Sequence, residues 1–343
     1  SEINLDLYNQ PKTIEFLVNS LRHNRLAHSY LFSGVEGLGK LEIARYFVKL
    51  IQCLNPKDDY RTPCGECGNC RKIEQGIFVD NLEIDIAEDK TTISIDQFRE
   101  ELGKFLKYSA NESRYKTCII NQFEKTREEA MSAILKTLEE PPKNFIFILI
   151  TGNVNQLKQT ILSRCQLIKF REQTLEQVES RLIKYYNLDK PKARTLALLS
   201  AGRIKTALSY IESDIYNQRV LLLEKLSKIL LEKSFFENHC FYNFIAANFL
   251  KADKESDGKL KDKRKKIMYL LDIILHFFRD LLVIKQFNDK RFILNIDFEK
   301  DLKKLSENYS QLEIQKFIHN TIYCEKLLYF NVNPNMIFEN IFL

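Results

Sequence analysis

Beyond residue 203 the sequence almost lacks the two residues that interrupt helices, because only Gly258 and Pro334 remain of its 10 glycines and 7 prolines. That scarcity excludes a C-terminal part assembled from short strands and tight turns. Leu, Ile, Lys and Glu recur there with helical spacing, and the region is expected to be helical. Long apolar runs are missing too. The nearest approach, Ile267–Ile284, is interrupted by Asp272, His276, Arg279 and Asp280, so no membrane span and no membrane partner are expected. The opening residues, Ser1-Glu-Ile-Asn-Leu-Asp6, carry neither a basic nor an apolar secretory pattern, and the expected location is cytoplasmic. No repeat of fixed period and no low-complexity tract is present. A large excess of one charge is missing too: the net +6 over 343 residues permits contact with a polyanion without arguing for one.

The length suits two or three domains, each with its own core. Before residue 203, short apolar runs rich in β-branched or aromatic residues occur at Ser29–Phe32, Leu82–Ile86, Thr117–Ile120, Phe145–Ile150 and Leu167–Phe170. Amphipathic stretches such as Leu41–Ile51, Ile95–Leu106 and Glu128–Glu140 separate them. This alternation predicts an α/β fold, a parallel sheet covered on both faces. The helix at Glu128–Glu140 is expected to stop at Pro141-Pro142. Domain limits are placed at 1–172 for the sheet, 173–213 for a small helical unit and 214–343 for a larger helical domain. Lys251–Lys266 holds eight Lys or Arg residues around Gly258. Two readings stand for it, a solvated loop running into a helix and a nucleic-acid contact.

Gly34-Val-Glu-Gly37-Leu-Gly39-Lys40 follows the run Tyr30-Leu-Phe32 and opens the helix at Leu41. This is the strand–loop–helix setting of the G-x-x-x-x-G-K phosphate loop. Glycines let backbone N–H groups wrap phosphate oxygens, the helix N-terminus adds its dipole, and Lys40 adds a point charge. The metal partners are absent. Leu41 stands where Ser or Thr would ligate Mg²⁺, and the strand ending at Ile120 is followed by Asn121-Gln122 where an acid is needed. Without that metal and carboxylate the chain is expected to hydrolyse no ATP of its own. Weak or non-productive ATP or ADP binding and a loop kept only as a tight turn are the two readings left open.

Cys64-x-x-Cys67-x-x-Cys70, with Cys53 upstream, supplies four thiolates, the number a closed tetrahedral structural zinc site requires. Gly65 and Gly68 are expected to make the tight turns between sulfurs. A redox Cys-x-x-Cys is the rival reading, but no thioredoxin-like βαβ pattern surrounds it.

Taken together, the phosphate loop, the cysteine insert, Ala133-Ile-Leu-Lys-Thr-Leu-Glu-Glu-Pro-Pro142 and Ser163-Arg-Cys165 resemble bacterial clamp-loader subunits of the AAA+ class. Leu26–Phe32 fits the same block. The resemblance implies an AAA+ P-loop sheet with a zinc insert at 53–70, a helical lid domain and an all-α C-terminal collar domain. Two branches of that family in DNA polymerase III carry the insert, the ATP-hydrolysing gamma/tau type and the delta-prime type. The degraded metal site favours delta-prime. Phe278-Arg-Asp-Leu-Leu282, Asn331–Pro334 and Glu339 are similar to its collar. Gly76–Asp80 departs from the pattern by lacking the His-Pro pair usual after the fourth cysteine.

The implied partners are gamma/tau and delta subunits, the sliding clamp and, through the assembly, primed DNA. The resemblance also gives Arg164 the role of an arginine finger in a neighbouring subunit's ATP site, where a lone arginine without the flanking Ser163 and Cys165 would read as a surface salt bridge. Arg203 matches the sensor-2 position facing the chain's own loop, and Asn153 lies near sensor 1. Glu139 and Glu140 end a helix where their charge opposes the macrodipole. The rivals are an active gamma/tau-type ATPase and a zinc-bearing DNA-binding module with a vestigial nucleotide fold.

Overall fold

In the computed structural model, the described residues are 4–87, 90–107, 110, 113–213, 215–232, 237–249, 259–287, 292–328, 337–338 and 340–341. Packing divides the chain into two compact units, residues 1–174 with 202–206, and residues 175–201 with 207–343. The first begins with α1 (Leu5–Tyr8), α2 (Pro11–Arg22), β1 (Ser29–Ser33) and α3 (Lys40–Gln52). It continues through α4 (Gly68–Glu74), β2 (Asn81–Ile84), α5 (Ile95–Leu106), β3 (Lys116–Ile120) and α6 (Glu128–Glu139). β4 (Phe145–Thr151), α7 (Gln159–Leu162) and β5 (Gln166–Lys169) complete it. The five strands form one sheet in the order β2-β3-β4-β1-β5, and every pairing is parallel.

Each of the five strands falls where the apolar runs place it, within two residues. The reason is visible in the burial. β1, β3 and β4 are buried at every position, as a sheet with helices on both faces demands. Tyr30 meets Phe47 of α3 edge-on at 5.3 Å on one face, while Leu31 joins Leu102 of α5 and Ile134 of α6 in the core of the other. α6 ends at Glu139. Glu140 leaves the helical region at φ −124°, ψ 72°, because Pro141 crowds the residue before it.

The second unit is helical, as the scarcity of glycine and proline implies. It holds α8 (Leu175–Tyr186), α9 (Lys190–Leu199), most of α10 (Ile204–Glu212), α11 (Ile215–Glu232), α12 (Glu237–Asn248), α13 (Lys259–Phe287), α14 (Glu299–Asn308) and α15 (Gln311–Leu327). Leu271, Ile274, Phe277, Phe278 and Leu281 of α13 form the middle of its core. Asp280 interrupts that apolar face because its Oδ2 accepts from Leu294 N at 2.9 Å, Asn295 N at 2.7 Å and Asn295 Nδ2 at 2.8 Å. Burial pushes the Asp280 pKa up, against the pull of those donors.

Arg219 of α11 is buried as well. It grips Asp297 with Nη1 at 2.7 Å and Nη2 at 2.9 Å, and reaches Asn295 Oδ1 at 2.5 Å. Replacing Arg219 with alanine leaves the Asp297 carboxylate without its cation and is expected to cost about 3–5 kcal/mol. Chemical denaturation reads this, and an unchanged midpoint would refute the assignment.

No helix among the described residues is long and apolar enough to cross a membrane. The basic stretch resolves into α13 from Lys259 onward, while 251–258, Asn331–Pro334 and Glu339 lie outside the described residues.

Candidate functional site

The loop 34–40 leaves the carboxyl end of β1, beside the ends of its neighbours β4 and β5. Ligands of open parallel sheets gather at this edge. Gly37 and Gly39 take positive φ of 85° and 83°, which side-chain-bearing residues rarely adopt. A Cβ on Gly39 would lie 2.0 Å from the Tyr8 ring, and one on Gly37 would lie 2.3 Å from Thr206 Oγ1 and 3.2 Å from Arg203 Cβ. Tyr8 and the segment 202–206 therefore close directly on the loop. Lys205 N donates to Gly37 O at 2.9 Å, and Lys205 Nζ pairs with Glu42 at 3.1 Å. Arg203, read in the sequence as the sensor-2 position, has its Cβ beside Gly37. Gly39→Ala is expected to destabilise the chain by about 1–3 kcal/mol. A melting temperature equal to wild type would contradict it.

Lys40 is buried and folds back, its Nζ donating to Gly34 O and, at 2.6 Å, to Val35 O. Burial lowers its pKa, opposed by the field of Glu124, Glu36 and Glu42. Gly34, Gly37, Gly39 and Lys40 thus supply the backbone and cation that suit a phosphate. The metal half is a different matter. Leu41 is the second residue of α3 and offers no oxygen.

Asn121 Nδ2 donates to Asp85 Oδ2 at 2.8 Å, Gln122 Nε2 donates to Asp85 Oδ1 at 3.3 Å, and Ile86 N adds a third bond at 2.7 Å. Asp85 is no replacement acid. It follows β2, the edge strand three places from β1, or roughly 14 Å at ordinary strand spacing. Glu124, just past β3, has the largest effect of the three acids that bear on Lys40. Its Oε1 accepts from Gly152 N at 2.9 Å, and its Oε2 is buried with no hydrogen-bond partner among the described residues. Sequence reasoning passed over Glu124 because it stands outside the positions where the motif seeks an acid. Asn153 caps its own turn, accepting from Asn155 N at 3.0 Å.

Ser163-Arg164-Cys165 joins α7 to β5. Cys165 is buried, and Ser29 Oγ at the start of β1 donates to Arg164 O at 2.6 Å, so the backbone is pinned on the inside. The Arg164 side chain turns outward. Its Nη1 donates to Thr160 O at 2.9 Å and Ser163 Oγ at 3.4 Å, and Nη2 pairs with Glu139 Oε1 at 2.9 Å. Glu139, which the macrodipole disfavours at the end of α6, therefore has its cation on the segment between α7 and β5. Arg164 precedes the amino end of β5, which runs parallel to β1, so it lies towards the opposite end of the strands from the phosphate loop, with a third of its side chain exposed.

The sulfurs of Cys53, Cys64, Cys67 and Cys70 lie within 4.8 Å of one another. Cys64 Sγ is 3.9 Å from Cys70 Sγ. Tetrahedral sulfurs at a Zn–S distance of about 2.3 Å would be roughly 3.8 Å apart, so the donor set fits a metal. Backbone N–H groups point at the sulfurs: Cys64 N at Cys53 Sγ (3.2 Å), Cys67 N at Cys64 Sγ (3.3 Å) and Cys70 N at Cys67 Sγ (3.5 Å). The bond from Cys67 N pulls the Cys64 thiol down to about 6, while burial pushes Cys53 and Cys70 up. Of the two expected turn glycines, Gly65 holds φ +76°, whereas Gly68 is simply the first residue of α4, with Cys67 as its N-cap. The second turn is made by the helix start.

A phosphate loop on a five-stranded parallel sheet, with an arginine-bearing Ser-Arg-Cys segment before its last strand, defines a P-loop protein of the AAA+ class. Sequence comparison carries this further. The family model described as DNA polymerase III, delta subunit, matches residues 9–174. The DNA polymerase III subunit gamma of Buchnera aphidicola from Acyrthosiphon pisum is 32% identical over 78% of this chain and 71% of its own length. The subunit delta′ of Bacillus subtilis is 29% identical over 97% of this chain and 95% of its own. A solved structure of a DNA polymerase III gamma subunit-related protein of Thermotoga maritima shares the fold at TM-score 0.52 and 19% identity, over 96% of this chain and 97% of that one. The chain belongs to the DNA polymerase III clamp-loader family that contains the tau/gamma and delta′ subunits. It spans 30–33% of the length of the longer tau-type relatives that it matches at 36% identity.

Proposed function

We propose that this chain is the delta-prime-type subunit of a clamp loader, hydrolysing no ATP itself and lending Arg164 to a neighbouring subunit's ATP site. One juxtaposition carries the reading. The chain's own site offers Leu41, Asn121 and Gln122 in place of metal ligands, with both amides engaged on Asp85, while Arg164 remains outward on a pinned backbone. A guanidinium brought from outside stabilises charge on a transferring phosphoryl group, and this requires nothing of the donor's own pocket. The partners are gamma/tau- and delta-type subunits, the sliding clamp and primed DNA reached through the assembly. Nucleotide at Gly34–Lys40, beside Arg203, is bound weakly or without turnover. The four cysteines hold a structural zinc, and residues 173–213 and 214–343 serve as lid and collar.

The test is reconstitution with gamma/tau-type and delta-type subunits, clamp and primed DNA. Omitting this chain is expected to reduce clamp loading and DNA-stimulated ATP turnover to background. Full activity without it would contradict the proposal.

A second reading, an active gamma-type ATPase, draws on the 32% identity to a gamma subunit. The side chains oppose it. Leu41→Thr restores the missing hydroxyl but leaves Asn121 and Gln122 in place. The isolated variant is therefore expected to show no Mg²⁺-dependent turnover, and a gain of turnover would favour the second reading.

A further inference from the structure

We infer that Glu139 is a positioning residue for Arg164, holding the guanidinium in the orientation in which it enters a neighbouring site; this rests on the arginine-finger reading above. The geometry is specific to one edge of the guanidinium. Thr160 O and Ser163 Oγ take Nη1, and Glu139 Oε1 takes Nη2 at 2.9 Å. An arginine has five N–H donors in a fixed fork; with both Nη1 hydrogens and one on Nη2 engaged, the Nε–H and the second Nη2 hydrogen have no partner among the described residues, and a third of the side chain is exposed. The bracket fixes the plane of the fork without exhausting it.

The two anchors come from different elements. Thr160 belongs to α7, four residues before Arg164, while Glu139 is the last residue of α6. The backbone beneath is held by Ser29 Oγ on Arg164 O, so the Glu139 contact restrains what the backbone anchor leaves free, the side-chain rotamers. A long unrestrained arginine must be ordered when it docks, and that cost subtracts from transition-state stabilisation. Glu139 has no evident use to α6 itself, since a carboxylate at a helix C-terminus faces the negative end of the dipole. Its placement makes sense through Arg164.

The experiment compares wild type, Glu139→Gln, Arg164→Ala and the double variant in the full assembly with clamp and primed DNA. ATP turnover is measured against ATP concentration, and subunit association by size-exclusion chromatography. Glu139→Gln is expected to lower kcat about 2–10-fold, the range expected for losing one pre-ordered long side chain, with KM for ATP and association unchanged. Glu139→Asp should recover part of the loss. In the Arg164→Ala background Glu139→Gln should change nothing more.

An unchanged or raised kcat for Glu139→Gln would overturn the inference. An equal loss with Arg164 already absent would overturn it too, by showing a role independent of the arginine. If Arg164→Ala itself leaves turnover intact, the arginine-finger reading falls and this inference falls with it. A loss in Arg164→Ala without one in Glu139→Gln sinks the inference alone.

Discussion

Arg164→Ala is expected to lower ATP turnover at the neighbouring subunit's site by on the order of 10³-fold, the lower end of what arginine fingers supply in GTPases. Clamp loading should fall with it, while the subunits still associate. The separation follows from where the residue sits. Its carbonyl is held by Ser29 and its neighbour Cys165 is buried, so the local backbone does not depend on the guanidinium. Its ion pair with Glu139 is half exposed on the acid's side, a class of interaction worth at most about 1 kcal/mol to stability. A large kinetic loss from a nearly neutral substitution marks a group acting elsewhere. Arg164→Lys should rescue little, since a point charge cannot reproduce a planar fork. Single-turnover hydrolysis in the assembled complex reads the effect without interference from product release. A loss of less than threefold would remove the arginine from the mechanism.

The second large effect concerns the cysteines. The purified chain is expected to carry about one zinc per molecule, lost in Cys64→Ser. In small zinc-finger peptides such a site contributes about 10–16 kcal/mol of apparent binding free energy, and most of that is folding free energy. Here the module also leans on the sheet unit, through Asn69 Nδ2 on Gln52 O at 2.9 Å and Tyr46 OH on Arg61 O. Loss of metal should therefore open residues 53–76 to proteolysis and lower the melting temperature, while circular dichroism of the remaining helices persists. A chain with all four thiols reduced and no bound metal would contradict the assignment.

What the sequence disclosed was local in kind. Apolar runs located five strands, most plainly the three central ones, because strands covered on both faces leave no polar alternation to confuse them. Pro141 located the end of α6, and the spacing of Cys64, Cys67 and Cys70 announced convergence that the sulfurs display. What stayed hidden depends on pairs distant along the chain. Asn121 and Gln122 could be read as missing acids, but not as donors to Asp85, which lies 36 residues away from the first and 37 from the second. The approach of Tyr8 to Gly39 is likewise a property of the folded sheet edge. Nothing local in the sequence marks Arg219 as buried, since its partner Asp297 lies 78 residues on. Glu139 showed half of its meaning, an acid on the wrong end of a helix; the cation that explains it is on another element.

The central claim is that catalytic competence has left this chain's own phosphate loop and survives in what it offers a neighbour. ATP turnover by the purified chain alone, with and without Mg²⁺, tests that most directly when run beside the same chain in the complete assembly on primed DNA. The account predicts background turnover by the isolated chain at every Mg²⁺ concentration, and robust turnover by the assembly that disappears when the chain is left out. Mg²⁺-dependent hydrolysis by the isolated chain would contradict it.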